Sequence, residues 1–439
     1  MTNALSKLPL IHKLYYRIGV TLGTVIVAPH PTTVGNTAED IYFGLLKARR
    51  EGKKLLILRP YQLPYFLALP LTNKEVFSVQ STYILNKRIY QVSLSLILTI
   101  HCGLFRLFKA VFPKFLRNLS EKYTVPMLGQ DILWQPVQEQ QTFELSIGRN
   151  YKWQHQLVEP LDIELRGRQK DLAENLRVEM GIPINRWFVC LHVRESGFWN
   201  DQQTNGSRNA SITNYLSTIQ HITSLGGIVV RLGDPSMSKL PDLEGVIDYP
   251  FTKFKSDLMD LYLIKEGRFF IGMQSGILDI ATMFQRPIVI TNMTGWLFNG
   301  PMKKNDRGIL KHIFSIKDQR FLSIKEWLER GWAATAFLVD DSKYYLQENC
   351  ASEILEVVQE LIESQTNDRL TWRQLEYSKM RIIEGERILN QSRISADYRS
   401  DIYVKYRLTS RLYSSLGAIG AKYLEKNWNS VEPAVLPLP

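Results

Sequence analysis

A short cluster, His192-Val193-Arg194, follows the apolar run at residues 187–191 and begins a polar stretch. The apolar run is typical of a buried strand in a parallel sheet, and ligands of open α/β sheets bind just beyond the carboxyl ends of such strands. An arginine at that position offers a planar fork of donors that fits a phosphate. The cluster therefore predicts that Arg194 binds a diphosphate.

Three further clusters of glycine and polar residues occupy the same kind of position, in the loop that follows a predicted strand. They are Gly35-Asn36, Gly233-Asp234-Pro235-Ser236 and Gly272-Met273-Gln274-Ser275-Gly276. Ser275 precedes an apolar helical stretch, and an N-cap there leaves backbone N–H groups that bind anions. One of the four clusters falls in a first predicted domain and three in a second, so we expect the ligand in a cleft between two domains.

Each cluster also has a purely structural interpretation, and no cluster alone is specific. The alternatives are a left-handed turn at Gly35-Asn36, a buried core histidine at His192, an ion pair of Arg194 with Glu195 or another acid, an Asx turn at Asp234 and a simple N-cap at Ser275. The N-cap is compatible with anion binding. The functional prediction rests on the order of the four clusters along the chain.

Alternating strand and helix patterns predict an α/β protein. Strands at residues 24–28 and 54–58 enclose a loop at 29–40 and a helix at 41–50, with Thr37 as its N-cap. This arrangement is a βαβ unit.

A second set of alternating patterns predicts a doubly wound parallel sheet. Its strands are predicted at residues 187–193, 228–232, 246–247, 269–272 and 287–290, and its helices at 166–180, 212–225, 256–265 and 277–284. Residues 293–341 have the composition of mixed loops, and helical spacing returns at 352–363 and from 372 to 424.

Composition limits the partners. The chain of 439 residues has 54 Lys and Arg against 43 Asp and Glu, a net charge of +11 that favours anionic ligands. The basic residues are scattered and form no nucleic-acid module, so no nucleic-acid partner is expected. Cys102, Cys190 and Cys350 are far apart and give neither a disulfide framework nor a CxxC metal site, which predicts a cytoplasmic protein.

Two amphipathic stretches suggest peripheral contact with an anionic membrane. Residues 1–19 are basic and amphipathic, and residues 89–105 contain no Lys, Arg, Asp or Glu. The second stretch predicts an apolar helix that is either buried or inserted into one leaflet, because it is short and interrupted for a transmembrane span. Packing of the first stretch against the next domain is the alternative.

The clusters resemble the motifs of fucosyltransferase-type GT-B enzymes, including the protein O-fucosyltransferases and α1,6-fucosyltransferases. VGNTAEDIYFGLLKARREGKKLLIL resembles their GxxGN loop with its helix and strand, LHVRESG their HxR motif, RLGDPSM their acidic D-P-S segment and FFIGMQSGILDIA their Ser-rich turn. Over residues 20–365 the chain is also similar to a group of bacterial glycosyltransferases known mainly from sequence.

The resemblance implies a GT-B fold, with two Rossmann-like doubly wound domains facing a cleft. Residues 1–150 would form the acceptor-side domain, residues 151–350 the nucleotide-sugar donor domain, and residues 351–439 C-terminal helices that pack back on the first domain. It also implies transfer without a metal or other cofactor, and contact of Arg194 with the β-phosphate.

The resemblance further matches His192, Asn36 and the nucleotide-reading Asp234 to motif residues. Gly233-Asp234 stands where the α1,6 enzymes have two adjacent acids, which leaves GDP and UDP as alternatives, and Thr37 replaces the usual Gln.

The chemistry of sugar transfer agrees with these residues. The departing diphosphate gains negative charge, and the chain has no persuasive DxD for a metal, since neither Asp162-Ile163-Glu164 nor Asp340-Asp341 fits. Fixed donors at Arg194 and at the Ser275-Gly276 backbone would then stabilise the leaving group, a contact worth on the order of 3 kcal/mol.

An inverting reaction also needs a proton acceptor for the acceptor hydroxyl. His30, Glu39 and Asp40 are candidates, the two acids alternatively being first-turn helix residues, and Asn36 would orient the acceptor or a phosphate. The predicted catalytic residues are Arg194, Asn36 and His30, and the predicted donor-binding residues are Gly35, His192, Arg194, Gly233, Asp234, Ser236, Gln274, Ser275 and Gly276.

The predicted function is an inverting, metal-independent glycosyltransferase that moves a sugar from a nucleotide-diphosphate sugar to a glycan, a lipid-linked acceptor or a protein. A non-catalytic nucleotide-sugar binding protein and a nucleotide-sugar epimerase or hydrolase on the same fold are the alternatives.

Overall fold

The computed structural model describes residues 17–29, 33–59, 73–111, 160–195, 206–296, 299–332, 342–364, 369–390, 412 and 415–430. The chain divides into two compact units. Unit 1 comprises Met1–Asn150, Glu159–Arg166 and Ser392–Arg407, and unit 2 comprises Tyr151–Val158, Gly167–Gln391 and Leu408–Pro439. The predicted functional division into residues 1–150, 151–350 and 351–439 stays a prediction.

The predicted βαβ unit is present in unit 1. Strands β1 (Thr24–Val27) and β2 (Lys54–Ile57) pair in parallel, with Thr24 opposite Lys54, and helix α1 (Val34–Arg50) connects them. The helix buries its apolar side chains, Leu45 among them, against the strands. Leu55 and Leu56 of β2 are fully buried.

Helix α1 begins earlier than predicted, so the prediction of a loop through residue 40 was wrong. Thr33, not Thr37, occupies the N-cap position, and Gly35 and Asn36 lie in the first turn. Thr37 instead donates from Oγ1 to the Thr33 carbonyl, at 3.0 Å. Glycine and asparagine are weak helix formers, but burial of Gly35 and of the residues from Thr37 onward outweighs that preference.

Helix α2 (Arg88–Val111) contains the predicted apolar helix and extends beyond it. Ser95 and Thr99 are buried on one side of the helix. The Ser95 hydroxyl accepts from the Arg59 backbone N–H at 3.0 Å, which joins α2 to the residues after β2. Among the described residues, no helix combines the length and the apolar character needed to cross a bilayer.

Unit 2 contains the predicted parallel sheet, which confirms the α/β fold class. Its seven strands lie in the order β12-β8-β7-β6-β3-β4-β5, and every neighbouring pair is parallel. The strands are β3 (Phe188–His192), β4 (Ile228–Arg231), β5 (Val246–Asp248), β6 (Phe270–Gly272), β7 (Ile288–Met293), β8 (Arg307–Leu310) and β12 (Ala418–Ile419).

The helices of unit 2 also follow the predicted pattern with small shifts of their ends. They are α3 (Gly167–Glu179), α4 (Leu216–Ser224), α5 (Asp257–Glu266), α6 (Gly276–Met283), α7 (Ile324–Glu329), α8 (Ala351–Ser364), α9 (Trp372–Asn390) and α10 (Ala421–Asn427). Short 3₁₀ turns at Gly206–Arg208, Ile212–Tyr215 and Tyr249–Phe251 complete the connections, as Glu75–Ser78 does in unit 1.

The prediction of mixed loops over residues 293–341 was wrong. This region contains β8 of the main sheet, helix α7 and two strands, β9 (His312–Ser315) and β10 (Arg320–Phe321). Strands β10 and β11 (Tyr344–Gln347) pair antiparallel with β9 on either side. The apolar alternation was obscured because polar side chains are buried here in pairs.

Two such pairs replace apolar contacts. Arg307 Nε donates to Glu360 Oε1 at 2.7 Å, and His312 Nε2 lies 2.9 Å from Glu353 Oε1.

The predicted helical spacing from 372 to 424 is only partly confirmed. Helix α9 is present, but the edge strand β12 and the short helix α10 follow it. Strand β12 has only two residues, and its pairing with β8 rather than any local pattern defines it. Residues 1–16, 30–32, 112–159, 333–341 and 431–439, with their predicted features, lie outside the described residues.

Candidate functional site

The order of strands in unit 2 reverses between β3 and β6. From β3 the chain continues outward through β4 and β5 on one side of the sheet, and from β6 it continues through β7 and β8 on the other. Strands β3 and β6 are neighbours, and His192 lies opposite Gly272. The connecting segments leave such a reversal in opposite directions, which opens a crevice beyond the carboxyl ends of the two strands. The predicted clusters at His192-Val193-Arg194 and Gln274-Ser275-Gly276 follow these two strands.

His192 ends β3 and is held as a neutral imidazole. Its Nδ1 lies 3.1 Å from the Leu232 carbonyl, so Nδ1 carries the proton and Nε2 is left as an acceptor. Burial lowers the pKa of His192 to about 4, and the nearby Arg231 and Arg194 guanidinium groups act in the same direction. At neutral pH the side chain therefore adds no charge to the site.

Arg194 is 8% exposed and is held by the loop that follows β3. Its Nη1 donates to Asn209 Oδ1, and its carbonyl accepts from the Ala210 backbone N–H at 3.1 Å. The alternative prediction of an ion pair between Arg194 and Glu195 was wrong, because Glu195 has other partners. Glu195 Oε1 instead accepts from Arg231 Nη2 at 2.8 Å, and its Oε2 accepts from the Ser238 backbone and hydroxyl, each at 2.9 Å.

A second cation lies behind the same loop. Lys311 is 3% exposed, and its Nζ donates to the Asn209 carbonyl at 2.7 Å. Burial lowers the pKa of Lys311 to about 8, against the opposite influence of Glu348. Asn209 thus joins Arg194 and Lys311, and the sequence pattern predicted neither Asn209 nor Lys311. Asn209 lies in a loop without periodicity, and Lys311 lies in the region that was predicted as loops.

The second side of the crevice is the turn between β6 and α6. Ser275 occupies the N-cap position of α6 with an extended backbone, yet its side chain makes no capping hydrogen bond. Its Oγ is buried and has no hydrogen-bond partner in the described part of the chain. A buried hydroxyl that is not used by its own helix, beside the exposed Gly276, is available to a ligand.

Gln274 supports the turn between β6 and α6 through the hydrogen bonds of its side-chain amide. Its Nε2 donates to the carbonyls of Gly295 and Asn299, at 2.6 and 2.5 Å, and its Oε1 accepts from the Thr294 backbone N–H at 2.8 Å. The side chain is 1% exposed. Its amide therefore fixes the turn between β6 and α6 against the segment after β7. The donor-binding role predicted for Gln274 stays a prediction.

The loop after β4 contains the Asx turn that was one alternative for Asp234. Asp234 Oδ1 accepts from the Ser236 backbone N–H at 2.9 Å. Gly233 has φ of +150°, and a Cβ at that position would lie 1.9 Å from Met237 Sδ. Only glycine fits this turn without strain. The turn holds Asp234 at the carboxyl end of β4, the strand that pairs with β3.

A buried arginine stabilises these strand ends. Arg231, the last residue of β4, is fully buried and donates to Glu195 at 2.8 Å and to Asp248 at 3.3 Å. The two acids follow β3 and end β5, so the three side chains join three adjacent strands. The two carboxylates compensate the buried positive charge of Arg231.

The predicted residues of unit 1 are only partly described. Gly35 is buried and Asn36 is partly buried, both in the first turn of α1. Glu39 and Asp40 are 8% and 2% exposed and lie in the second turn, so the first-turn interpretation of these acids was wrong. His30 lies outside the described residues.

The comparisons with known proteins assign no family to the chain. No protein-family model matches it. No curated protein matches it either. Among solved structures, the crystal structure of a glycosyl transferase family 9 protein from Veillonella parvula DSM 2008 is similar with a TM-score of 0.39 and 11% identity, over 78% of this chain and 98% of that chain. A likeness at this level does not define a fold, an activity or a substrate for this chain.

Proposed function

We propose that the protein is a glycosyltransferase of GT-B type that transfers a sugar from a nucleotide-diphosphate sugar, GDP- or UDP-linked, to a glycan, lipid-linked or protein acceptor. One observation supports the proposal above all. Arg194 and the turn at Ser275 lie beyond adjacent strands, at the reversal of strand order in the parallel sheet. This is the position at which open α/β sheets bind phosphorylated ligands.

The donors at this position suit a leaving diphosphate. Arg194 supplies a guanidinium that Asn209 orients, and α6 supplies the positive end of its dipole together with the Ser275 hydroxyl. The charge on the diphosphate increases as the glycosidic bond breaks. Fixed donors that meet this charge lower the barrier by on the order of 3 kcal/mol each. In the proposed mechanism they replace a metal ion.

His192 and Asp234 have complementary roles in the proposal. The neutral His192 imidazole presents Nε2 as a hydrogen-bond acceptor to a sugar or ribose hydroxyl. Asp234, held by its Asx turn, accepts from the base or ribose of the nucleotide, and Gly233 and Ser236 form the rest of that turn. Gln274 anchors the turn between β6 and α6, and Gly276, which has no side chain, leaves that turn accessible to the phosphates.

The acceptor is proposed to bind in unit 1. Asn36 and Gly35 would then orient the acceptor, and His30 would accept its proton in an inverting reaction. We place the protein in the cytoplasm with peripheral contact to the inner face of the membrane, because its net charge of +11 favours anionic surfaces.

A thermal-shift panel with GDP, UDP, CDP and dTDP tests the donor class. A nucleotide present at 100 times its dissociation constant adds about 2.7 kcal/mol to the free energy of unfolding. We expect a clear shift with GDP or UDP and little with the others. The absence of a shift with all four would contradict the proposal.

Product analysis then separates transfer from the alternative activities. Incubation with the nucleotide sugar that binds should release nucleotide diphosphate only when an acceptor is present. Release of free sugar without acceptor would indicate a hydrolase, an isomerised donor an epimerase, and tight binding without any product a non-catalytic binding protein.

A further inference from the structure

Unit 1 contains a cavity of about 360 Å³ between the residues after β2 and the start of α2. It is lined by Arg59, Arg88 and Arg166 together with Asn86 and Gln91, and no acidic residue is among the described residues that line it. We call Arg59, Arg88 and Arg166 with this cavity the arginine pocket. All three arginines belong to unit 1, whereas Arg194 belongs to unit 2.

The position of the pocket follows from the βαβ unit. Arg59 comes two residues after the end of β2, at the carboxyl edge where α/β sheets bind ligands. Gln91 Nε2 donates to the Ile57 carbonyl at 3.0 Å, which holds the first turns of α2 against that edge. Arg88 begins α2. The wall also includes the 3₁₀ turn at Glu75–Ser78 and Arg166, which follows Glu164, the backbone partner of Gln80.

The three guanidinium groups are not used by the described fold. Within the described residues, none of them makes a side-chain hydrogen bond or an ion pair. Three arginines around one cavity repel one another unless an anion is bound. Guanidinium groups bind phosphate through paired, charge-assisted hydrogen bonds, so a phosphate ester fits this pocket in charge and in donor geometry.

An apolar surface continues from the pocket along α2. Val92 lines the pocket and is followed at helical spacing by further exposed apolar residues. Ile89, Val92, Leu96 and Ile100 lie on one face of the helix and have exposed fractions of 73%, 39%, 40% and 42%. We call these four residues the apolar strip. A cationic pocket with an adjoining apolar strip has the chemistry of an amphiphile with an anionic head.

We propose that the arginine pocket binds the phosphate group of a lipid phosphate, with its hydrocarbon chain along the apolar strip. The binding itself does not depend on the proposed function. That the bound lipid carries the acceptor does rest on it, because a sugar-transfer enzyme needs a second substrate beside the donor bound in unit 2. A soluble phosphorylated sugar shares the phosphate chemistry, but it leaves the apolar strip without a function.

Flotation with vesicles tests the proposal on the full-length protein. Phosphatidylcholine vesicles that contain phosphatidic acid present a lipid phosphomonoester, and vesicles with phosphatidylglycerol adjusted to the same surface potential control for general attraction to negative charge. We expect stronger binding to the phosphatidic acid vesicles. Equal binding to both would overturn the proposal, because the pocket would then not recognise the phosphate.

The triple variant Arg59→Gln, Arg88→Gln, Arg166→Gln tests the pocket. We expect it to lose roughly a hundredfold in affinity for phosphatidic acid vesicles. The matched control is Lys170→Gln, Lys325→Gln, Lys379→Gln, which removes the same charge from lysine side chains that are 45%, 59% and 68% exposed in unit 2. An equal loss in both variants would show net charge alone and would overturn the proposal.

The double variant Ile89→Ser, Leu96→Ser tests the apolar strip. We expect roughly a tenfold loss of vesicle binding, since the two side chains stay partly exposed in the bound state and only part of their apolar surface leaves water. The control Ile184→Ser, Leu375→Ser changes residues of equal type that are 61% and 56% exposed elsewhere. Full vesicle binding by the strip variant, with loss in the arginine variant, would show that the pocket binds the phosphate headgroup without its hydrocarbon chain along the apolar strip, and would overturn the proposal as stated.

The failure of this proposal can be told apart from the failure of the donor site. The arginine triple variant should keep its thermal shift with GDP or UDP, and Arg194→Gln should keep its binding to phosphatidic acid vesicles. Circular dichroism and the melting temperature of each variant check that it folds. A triple variant that loses both nucleotide and lipid binding while folded would contradict two separate sites.

Discussion

At the scale of single residues, the site depends on which side chains are charged at the carboxyl ends of β3 and β4. Arg194 is held by Asn209, whereas burial lowers the pKa of His192 and keeps it neutral at neutral pH. Arg231, which also lowers the pKa of His192, is paired with Glu195 and Asp248. The sequence indicated Arg194 and His192 because they follow a clear apolar strand. Asn209 and Lys311 were not predictable, since only folding brings Asn209 to Arg194 and Lys311 to the Asn209 carbonyl.

The lowered pKa of His192 predicts a stability effect in mild acid. The pKa falls from 6.5 in the unfolded chain to about 4 in the folded chain, so the unfolded state binds more protons between these values. The free energy of unfolding should therefore decrease as the pH falls from 6.5 to 4. The full shift corresponds to at most on the order of 3 kcal/mol.

Denaturant unfolding across this pH range, for the wild type and for His192→Asn, measures the effect. Asparagine retains a donor for the Leu232 carbonyl but does not titrate there. The two curves should diverge in acid, with the wild type losing more stability. Parallel curves would mean that folding does not lower the pKa of His192, and would contradict this prediction.

At the scale of elements, the fold follows the apolar pattern except where polar pairs are buried. Strands β3, β4, β6 and β7 were predicted because their apolar runs are continuous, and the helices between them because of their spacing. Strands β8 and β9 escaped prediction because Arg307 and His312 are buried within them and satisfied by Glu360 and Glu353. Such long-range pairs are not visible in a local pattern.

Helices α6 and α7 provide a matched test of the Ser275 hydroxyl. Ser323 caps α7 with a capping box, in which its Oγ accepts from the Glu326 backbone N–H at 3.3 Å. Ser275 has the same position in α6 but makes no side-chain cap. Ser323→Ala should lower the free energy of unfolding by about 1 kcal/mol, and Ser275→Ala should leave it within about 0.5 kcal/mol of wild type.

The same two variants should show the opposite pattern in nucleotide affinity. Ser275→Ala should weaken nucleotide diphosphate binding roughly tenfold, the lower end of the value of one hydrogen bond to a charged group. Ser323→Ala should bind nucleotide as the wild type does. If Ser275→Ala unfolded more easily than Ser323→Ala and bound nucleotide normally, the hydroxyl would be a structural cap and not a ligand contact.

At the scale of the whole molecule, the proposed division of labour assigns the donor to unit 2 and the acceptor to unit 1. The α/β class and the doubly wound sheet of unit 2 were predictable from alternation alone. The arginine pocket was not, because Arg59, Arg88 and Arg166 are far apart in the sequence and come together only in the folded chain, after β2, at the start of α2 and beside the bridge between Gln80 and Glu164.

A metal-independent mechanism predicts that chelation does not affect turnover. Sugar transfer by the intact protein should proceed at the same rate with and without EDTA, because Arg194 and α6 supply the positive charge. Addition of Mg²⁺ or Mn²⁺ to the chelated protein should leave the rate unchanged. A loss of activity with EDTA that Mn²⁺ restores would contradict this part of the mechanism.

The central claim is that Arg194 contacts the diphosphate of the donor. Calorimetric titration of the nucleotide diphosphate and of its parent nucleoside, with the wild type, Arg194→Gln and the control Lys325→Gln, tests it most directly. The account predicts that Arg194→Gln binds the diphosphate roughly ten- to a hundredfold more weakly, with nucleoside affinity and the control variant unchanged. Equal diphosphate affinity in wild type and Arg194→Gln would contradict the claim.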